Sequence, residues 1–223
     1  MCFSAISSFS ASIIIGGIGI STVKKTTAKK DTIFASIPII FAIQQIFEGC
    51  IWLSFSNLSF AEFQSFFSYV FLFFAWSVWP ALLPYSLYAM EENEQRKKFI
   101  YYLYIIGLGI GIGSLYTLYS GQPFAYISSF HIDYALASPQ SNNAFVSIYE
   151  IFYVLCTLAP MFISTVKNMK VFGILNVMAL SISYVFFTNS IPSTWCFFAA
   201  ILSGCIYWII VKAHSLSSKT VHI

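Results

Sequence analysis

Long apolar runs, separated by short polar or charged stretches, dominate this chain from one end to the other. A helix that crosses a bilayer needs about 20 mostly apolar residues, and by that measure the pattern predicts about seven membrane-spanning helices. Their approximate bounds are residues 3–23, 32–55, 63–90, 99–120, 144–166, 171–188 and 195–211. We therefore predict an all-α membrane protein in which residues 1–223 form a single transmembrane helical bundle.

Two of the predicted spans have unusual composition. The third is long for one span and contains Pro80 and Pro84, which lack the backbone N–H and favour a kink, so we expect a bent helix there. The fourth has glycine at every second position from 107 to 113. Pairs of small residues four apart allow helices to approach closely, so we expect this segment to pack tightly against a neighbour.

The basic residues indicate the orientation of the bundle, because Lys and Arg are retained on the cytoplasmic side during insertion. When the predicted spans are drawn, every basic residue falls on one side. They are Lys24, Lys25, Lys29, Lys30, Arg96, Lys97, Lys98, Lys167, Lys170, Lys212 and Lys219. We therefore predict an N-terminus outside the cell and a C-terminus in the cytoplasm.

Composition agrees with the apolar pattern and excludes several classes of protein. Hydrophobic residues make up 58% of the chain and charged residues 9%, and the mean hydropathy is +0.79, whereas an ordinary soluble domain has about 25% charged residues. The spans leave no room for a soluble catalytic domain, and we expect no nucleotide cofactor. The basic runs act as topology signals, so we expect membrane lipids and not nucleic acid as partners.

A polar strip on the second predicted span is the first candidate for function. Gln44, Gln45, Glu48 and Trp52 share one face at helical spacing. An ionisable residue within a span is a functional candidate by default, and Glu48 lies toward the predicted outer side. The strip could hold helices together through interhelical hydrogen bonds, or Glu48 could belong to a ligand or metal site.

Glu150, Tyr153 and Thr157 recur at helical spacing on the fifth predicted span. We expect them to form a second inward polar line, with a solvated Glu150 carboxylate as the alternative. The other acidic residues lie at span ends or in loops, where solvation is an adequate explanation. They are Asp31, Glu62, Glu91, Glu92, Glu94 and Asp133.

Three further residues on the predicted outer side have metal-competent chemistry. His131 lies in a loop that is too apolar to be fully solvated, so we expect the loop to fold back onto the helix ends. Imidazole is the commonest metal ligand, but a structural role for His131 is the simpler interpretation. Removal of Met1 would leave Cys2 as an amino terminus whose amine and thiolate could chelate a metal, or Cys2 could be a buried thiol. Cys196 could be a soft ligand or could form a disulfide with Cys2.

These residues carry a resemblance to a family. The chain begins M-C-F-S-A, continues with Q-Q-x-x-E-G-x-x-W at residues 44–52, and has W-C-F-F-A-A at residues 195–200. It resembles an uncharacterised family of small bacterial multi-pass membrane proteins that begin M-C-F-S-A. The resemblance supports the number of segments and a bacterial inner (cytoplasmic) membrane location. It singles out Cys2, Gln45, Glu48, His131 and Cys196, and implies no substrate.

Three functions remain open at this stage. The leading hypothesis is an outward-facing site for copper, zinc or iron, with Cys2, Glu48, His131 and Cys196 as ligands. Thiolate and imidazole ligands favour these metals over magnesium or calcium. The supporting polar residues are Gln44, Gln45, Trp52, Glu150 and Tyr153. An open coordination position would make the site that of a metal-dependent enzyme or redox protein. The alternatives are a thiol/disulfide membrane protein using Cys2 and Cys196, and a transporter or lipid-binding protein that takes a small molecule from the outer side.

Overall fold

The computed structural model describes residues 4–128, 131–137, 143–186 and 191–220, and the architecture is given for those residues. A 3-10 turn at Lys29–Asp31 precedes the second helix, and a π-helical segment at Phe73–Val78 joins the fourth and fifth. The elements in chain order are α1 (Ala5–Lys25), α2 (Thr32–Ser56), α3 (Leu58–Ala61), α4 (Gln64–Leu72), α5 (Trp79–Met90), α6 (Glu94–Gly121), β1 (Pro123–Ser128), β2 (His131–Leu136), α7 (Asn143–Ile163), α8 (Met169–Phe186) and α9 (Ile191–Thr220).

Five helical segments among the described residues are long and apolar enough to cross a membrane. They are Ala5–Lys25, Lys29–Ser56, Gln64–Met90, Glu94–Gly121 and Met169–Phe186. Two shorter apolar stretches, Ile148–Ile163 and Ile201–Val211, lie within α7 and α9. A helix thus lies at each segment that the apolar pattern predicted, and the five long ones indicate a membrane protein.

α1 and α2 form a closely packed antiparallel pair. The Ser12 hydroxyl on α1 donates a hydrogen bond of 2.8 Å to the Ala42 carbonyl on α2. Further along α1, a Cβ at Gly19 would lie 2.8 Å from the backbone nitrogen of Ile39, so only glycine permits this approach. α9 contacts both helices, and the three enclose much of the main apolar core.

The third predicted span is a continuous helical segment that changes from α to π geometry at Phe73–Val78. Pro80 lacks an N–H, so the carbonyl four residues earlier, that of Trp76, has no partner within a regular α-helix. The Ser114 hydroxyl donates to that carbonyl at 3.1 Å, and the Tyr153 hydroxyl donates to the neighbouring carbonyl of Ala75 at 2.6 Å. The expected irregularity is therefore stabilised by hydroxyl donors from α6 and α7, as backbone at membrane depth requires.

The glycines of α6 divide between two faces. A Cβ at Gly107 would lie 1.8 Å from the Pro80 carbonyl oxygen, and one at Gly111 would lie 2.5 Å from the Ser77 carbonyl oxygen. A Cβ at Gly109 or Gly113 would meet nothing within 4 Å. The predicted close packing is confirmed for the face that carries Gly107 and Gly111.

The prediction of an all-α protein is wrong for the long connection after α6. β1 and β2 form an antiparallel hairpin in which Pro123 pairs with Leu136 and Ser128 with His131. Ala125 and Ile132 are buried in a second apolar cluster with the C-terminal half of α2 and with α4, and the Tyr134 ring stacks on Phe71 with centroids 5.0 Å apart. The connection thus folds back onto the helix ends, as its apolar character predicted, but it does so as strands.

The loops that carry the basic residues meet at one end of the bundle. Lys30 forms an ion pair with Glu92, and Arg96 donates from Nη1 to the Ile163 carbonyl at 2.8 Å. Glu91 accepts from the Thr165 backbone N–H at 2.7 Å. These contacts connect the α1–α2, α5–α6 and α7–α8 connections to one another.

Solvation does not explain all of the acidic residues outside the Glu48 strip. Asp31, Glu91 and Asp133 are exposed to only 8%, 2% and 3%. Burial opposes ionisation of Glu91, but hydrogen bonds from Thr165, the Asn93 backbone and Ser164 outweigh it and hold its pKa below the ordinary value. Glu91 therefore joins two loops at the basic end, a role that its position in a charged run does not reveal.

Candidate functional site

Glu48 is the central residue of the candidate site. It lies in the C-terminal half of α2 and is fully buried. The Gln45 amide donates from Nε2 to Glu48 Oε2 at 2.8 Å, and the Ser193 hydroxyl donates to Oε1 at 2.5 Å. Both donors are neutral, so they orient the carboxylate without bringing positive charge.

Gln44 and Gln45 are adjacent in sequence but form hydrogen bonds with different residues. Trp79 on α5 donates from Nε1 to Gln44 Oε1 at 3.0 Å, and its ring stacks on Phe41 with centroids 4.0 Å apart. Gln44 thus joins α2 to α5, which is the interhelical role that its residue type allows. Glu48, which bonds to Gln45, is contacted from α9 by Ser193. Within the polar strip, Gln44 therefore makes a structural contact, whereas Gln45 and Glu48 belong to the candidate site.

Buried polar atoms without a hydrogen-bond partner among the described residues lie close to Glu48 in the sequence. They are Gln45 Oε1, on a residue with no exposure, and Trp52 Nε1 one turn beyond Glu48. A third is the Ser8 hydroxyl in the first turns of α1, next to Phe9, whose ring packs against Gly49. An unsatisfied buried polar group costs about 1–3 kcal/mol, so each of these atoms would be stabilised by a bound water, ion or ligand.

His131 begins strand β2 and is half-buried. Its neighbour Ile132 packs in the same cluster as Ile51, which follows Glu48 by three residues on α2. The hairpin therefore brings His131 to the end of the bundle that carries Glu48. Asp133, two residues further along the strand, shares the His131 face because side chains alternate across a strand.

For two of the four predicted metal ligands, the side chain lies outside the described part of the structure. Cys2 lies outside the described residues, and Cys196 lies on α9 with its side chain outside them. Within the described part of the chain, no three His, Cys, Asp or Glu side chains are close enough to hold a metal ion. The described cysteines, Cys50, Cys156 and Cys205, are free thiols. The four-ligand metal set and the Cys2–Cys196 disulfide therefore stay predictions.

The second predicted polar line lies on α7, but Glu150 does not belong to it. Glu150 is exposed, in agreement with the alternative of a solvated carboxylate. The inward residues are Tyr149, Tyr153 and Thr157, one turn apart, and the two tyrosines bond to α6 and to the π-helical segment. Tyr153 thus stabilises the irregular helix, which is a different role from the supporting one predicted for it at the Glu48 site.

The sequence pattern did not single out Ser193 or Ser8. Serines are common in membrane-spanning helices, where they bond to their own backbone, so nothing in the sequence distinguishes these two. Ser193 follows Pro192 at the start of α9, where backbone N–H groups lack helical partners and a hydroxyl is usually interpreted as a cap. Only the packing of α9 against α2 shows that its hydroxyl contacts Glu48.

The chain matches a family model described as a family of unknown function (DUF6629) over residues 1–220. Comparison with curated proteins finds no match, and comparison with solved structures finds none.

Proposed function

The chain belongs to the DUF6629 family of unknown function, and we propose that it is an integral membrane protein that binds a transition metal ion at Glu48. The observation that carries the proposal is the fully buried Glu48 carboxylate, held by the neutral donors Gln45 and Ser193. Burying a carboxylate costs several kcal/mol, and a metal ion bound by Glu48 would offset that cost.

The proposed topology has about seven spans, with the Glu48 end of the bundle facing outward from a bacterial inner membrane. The loops that bear the basic residues gather at the opposite end, through Lys30–Glu92 and the Arg96 contact with Ile163. Such an end is the one retained in the cytoplasm. The shorter apolar stretches in α7 and α9 complete the set of spans.

In this proposal, Glu48 supplies a carboxylate oxygen, and Cys2, His131 and Cys196 supply the remaining ligands. Thiolate and imidazole ligands favour copper or zinc, and a carboxylate is equally suited to zinc or iron. The Gln45 amide keeps Glu48 in one orientation, as groups bonded to metal ligands commonly do. A coordination position left to water would allow metal-dependent catalysis, and a filled one would make the metal structural or sensory.

The proposal is tested by the metal content of the full chain, purified in detergent without chelators. We expect about one equivalent of copper, zinc or iron per chain, bound with the high affinity of protein metal sites. Glu48→Gln keeps the side-chain shape and removes the charge, and it should lower the metal content strongly. Cys2→Ser and His131→Ala should lower it as well.

Glu150→Gln is the matched control, because it makes the same change at an exposed carboxylate and should leave the metal content unchanged. Size-exclusion behaviour and melting temperature confirm that each variant is folded. A wild-type protein with almost no metal, or a folded Glu48→Gln protein with the wild-type metal content, would show that Glu48 holds no metal.

A further inference from the structure

A groove of about 380 Å³ lies between α1 and α9, on the outside of the bundle and toward its basic end. Its walls are formed by Gly17, Ile18 and Ser21 on α1 and by Gly204 and Tyr207 on α9. A Cβ at Gly17 or at Gly204 would meet nothing within 4 Å. Because these two glycines have no side chain, the groove stays open along the surface of the two helices.

A cation lies at the end of this groove. Gly17, Ser21 and Lys25 follow one another at four-residue spacing, so they share one stripe of α1. The Lys25 ammonium donates to the Tyr207 hydroxyl at 2.5 Å and lies 4.9 Å from the centre of the same ring. The groove is therefore apolar along its length and positively charged where it reaches the basic end.

The Lys25 charge is not neutralised by an acidic side chain within the described part of the chain. Lys30, on the following turn, forms an ion pair with Glu92, whereas the polar partner of Lys25 is a phenol. Ser21 and Tyr207 both line the groove, so their two hydroxyls and the Lys25 ammonium lie toward this end. They can contact an anion without giving up an existing ion pair.

We propose that the α1–α9 groove binds an anionic phospholipid, whose acyl chain lies along Gly17 and Gly204 and whose phosphate contacts Lys25. Charge complementarity selects this occupant, because basic groups between membrane helices at the cytoplasmic surface attract anionic headgroups. The glycines admit the chain against the helix backbones. This lipid site lies at the opposite end of the bundle from Glu48 and does not depend on the metal.

A second groove supplies an internal control. It has about 570 Å³ between α6 and α7 and is lined by Ile106, Gly109, Ile110, Gly113, Tyr149 and Phe152. Glycines open it as they open the first groove, since a Cβ at Gly109 or Gly113 meets nothing within 4 Å. No basic residue lines it, so it has no means of selecting an anionic headgroup.

The test is native mass spectrometry of the full chain in a non-ionic detergent, titrated with phosphatidylglycerol or with phosphatidylcholine of the same acyl chains. We expect the first phosphatidylglycerol to bind about fivefold more tightly than phosphatidylcholine, which is the contribution of one basic residue near a membrane surface. Lys25→Gln should abolish the preference. Gly204→Leu, and Gly17→Leu as a second variant, should prevent tight binding of both lipids by filling the groove.

Two matched controls accompany these variants. Lys97 also lies over a tyrosine ring, that of Tyr88, at 5.5 Å, and Lys97→Gln should keep the lipid preference. Gly109→Leu fills the uncharged groove and should also keep it. Added inorganic phosphate should not displace the lipid. Equal binding of the two lipids by wild type, an unchanged preference in Lys25→Gln, or displacement by phosphate would each overturn the proposal.

Discussion

Ser193 donates a hydrogen bond to the Glu48 carboxylate from 145 positions further along the chain. This bond joins the start of α9 to the C-terminal half of α2, and both residues have no exposure. Ser193 therefore helps to hold the one fully buried carboxylate described in the structure, and it links the stability of the bundle to the geometry of the proposed metal site.

Replacing Ser193 with alanine should lower both stability and metal affinity. The substitution removes a buried donor to a carboxylate, and hydrogen bonds to charged groups contribute about 1.5–3 kcal/mol. Ser183→Ala makes the same change on α8 at a buried hydroxyl without a partner among the described residues, and it should be neutral or slightly stabilising. Melting temperatures of the two variants in the same detergent measure the difference. Equal effects would mean that the Glu48–Ser193 bond contributes nothing of its own.

The glycines of α6 should differ sharply in their tolerance of alanine. Gly107→Ala would place a Cβ 1.8 Å from the Pro80 carbonyl oxygen, so the variant must separate α5 from α6 and should melt at a clearly lower temperature. Gly109→Ala meets open space and should be neutral or stabilising by up to about 1 kcal/mol, because alanine favours the helix. A Gly107→Ala protein as stable as wild type would contradict the close packing of these helices.

Removing the hydroxyl of Tyr153 should destabilise the irregular helix that it supports. That hydroxyl donates to the Ala75 carbonyl in the π-helical segment, where no water is available to replace it in the membrane. Tyr153→Phe should lower the melting temperature by an amount that corresponds to about 1–2 kcal/mol. Tyr116→Phe, at an exposed position on α6, is the comparison substitution and should change the melting temperature less. The reverse order would show that the Ala75 carbonyl does not need this donor.

Glu91 should make the basic end sensitive to acid. Its pKa is lowered in the folded protein, despite burial, by hydrogen bonds from Thr165, Asn93 and Ser164. A lowered pKa means that the ionised group stabilises the fold above the unfolded value of about 4.5, and that this contribution is lost as the pH falls through the folded pKa. Wild type should therefore exceed Glu91→Gln in stability at neutral pH, and the difference should shrink below about pH 4.5.

The control for that comparison is Glu94→Gln, which changes an exposed carboxylate in the first turn of α6. Melting temperatures at a series of pH values compare the variants directly. A Glu91→Gln difference that stays constant from neutral pH to pH 3 would contradict a role for the ionised carboxylate.

The apolar pattern predicted the helices well because a helix that crosses a membrane needs a run of about 20 mostly apolar residues, which is easily recognised in a sequence. It predicted the close packing at Gly107 and Gly111, since small residues at helical spacing have few other uses. It missed the β-hairpin because strands of six residues with mixed polarity produce only a weak alternating pattern. The hairpin also packs against α4 through β1 and against α9 through β2, and sequence spacing does not contain these contacts.

The site was predictable only in part. Helical spacing brought Gln45 and Glu48 to one face, and the cost of an intramembrane carboxylate made Glu48 a candidate. Helical spacing alone could not show that Gln44 and Gln45 have different roles, because those roles depend on where Trp79 and Ser193 lie in the folded protein. Burial of Asp133 was likewise hidden, since an acidic residue in a connection is ordinarily solvated, whereas the strand that carries Asp133 packs against the helix ends.

Anomalous diffraction at the copper, zinc and iron absorption edges, from crystals of the purified full chain, tests the central claim most directly. The account predicts a single anomalous peak within about 2.0–2.2 Å of a Glu48 carboxylate oxygen, the distance of a metal–carboxylate bond. Clear density for the Glu48 side chain with no anomalous peak beside it, or a peak bound elsewhere on the protein, would contradict the claim.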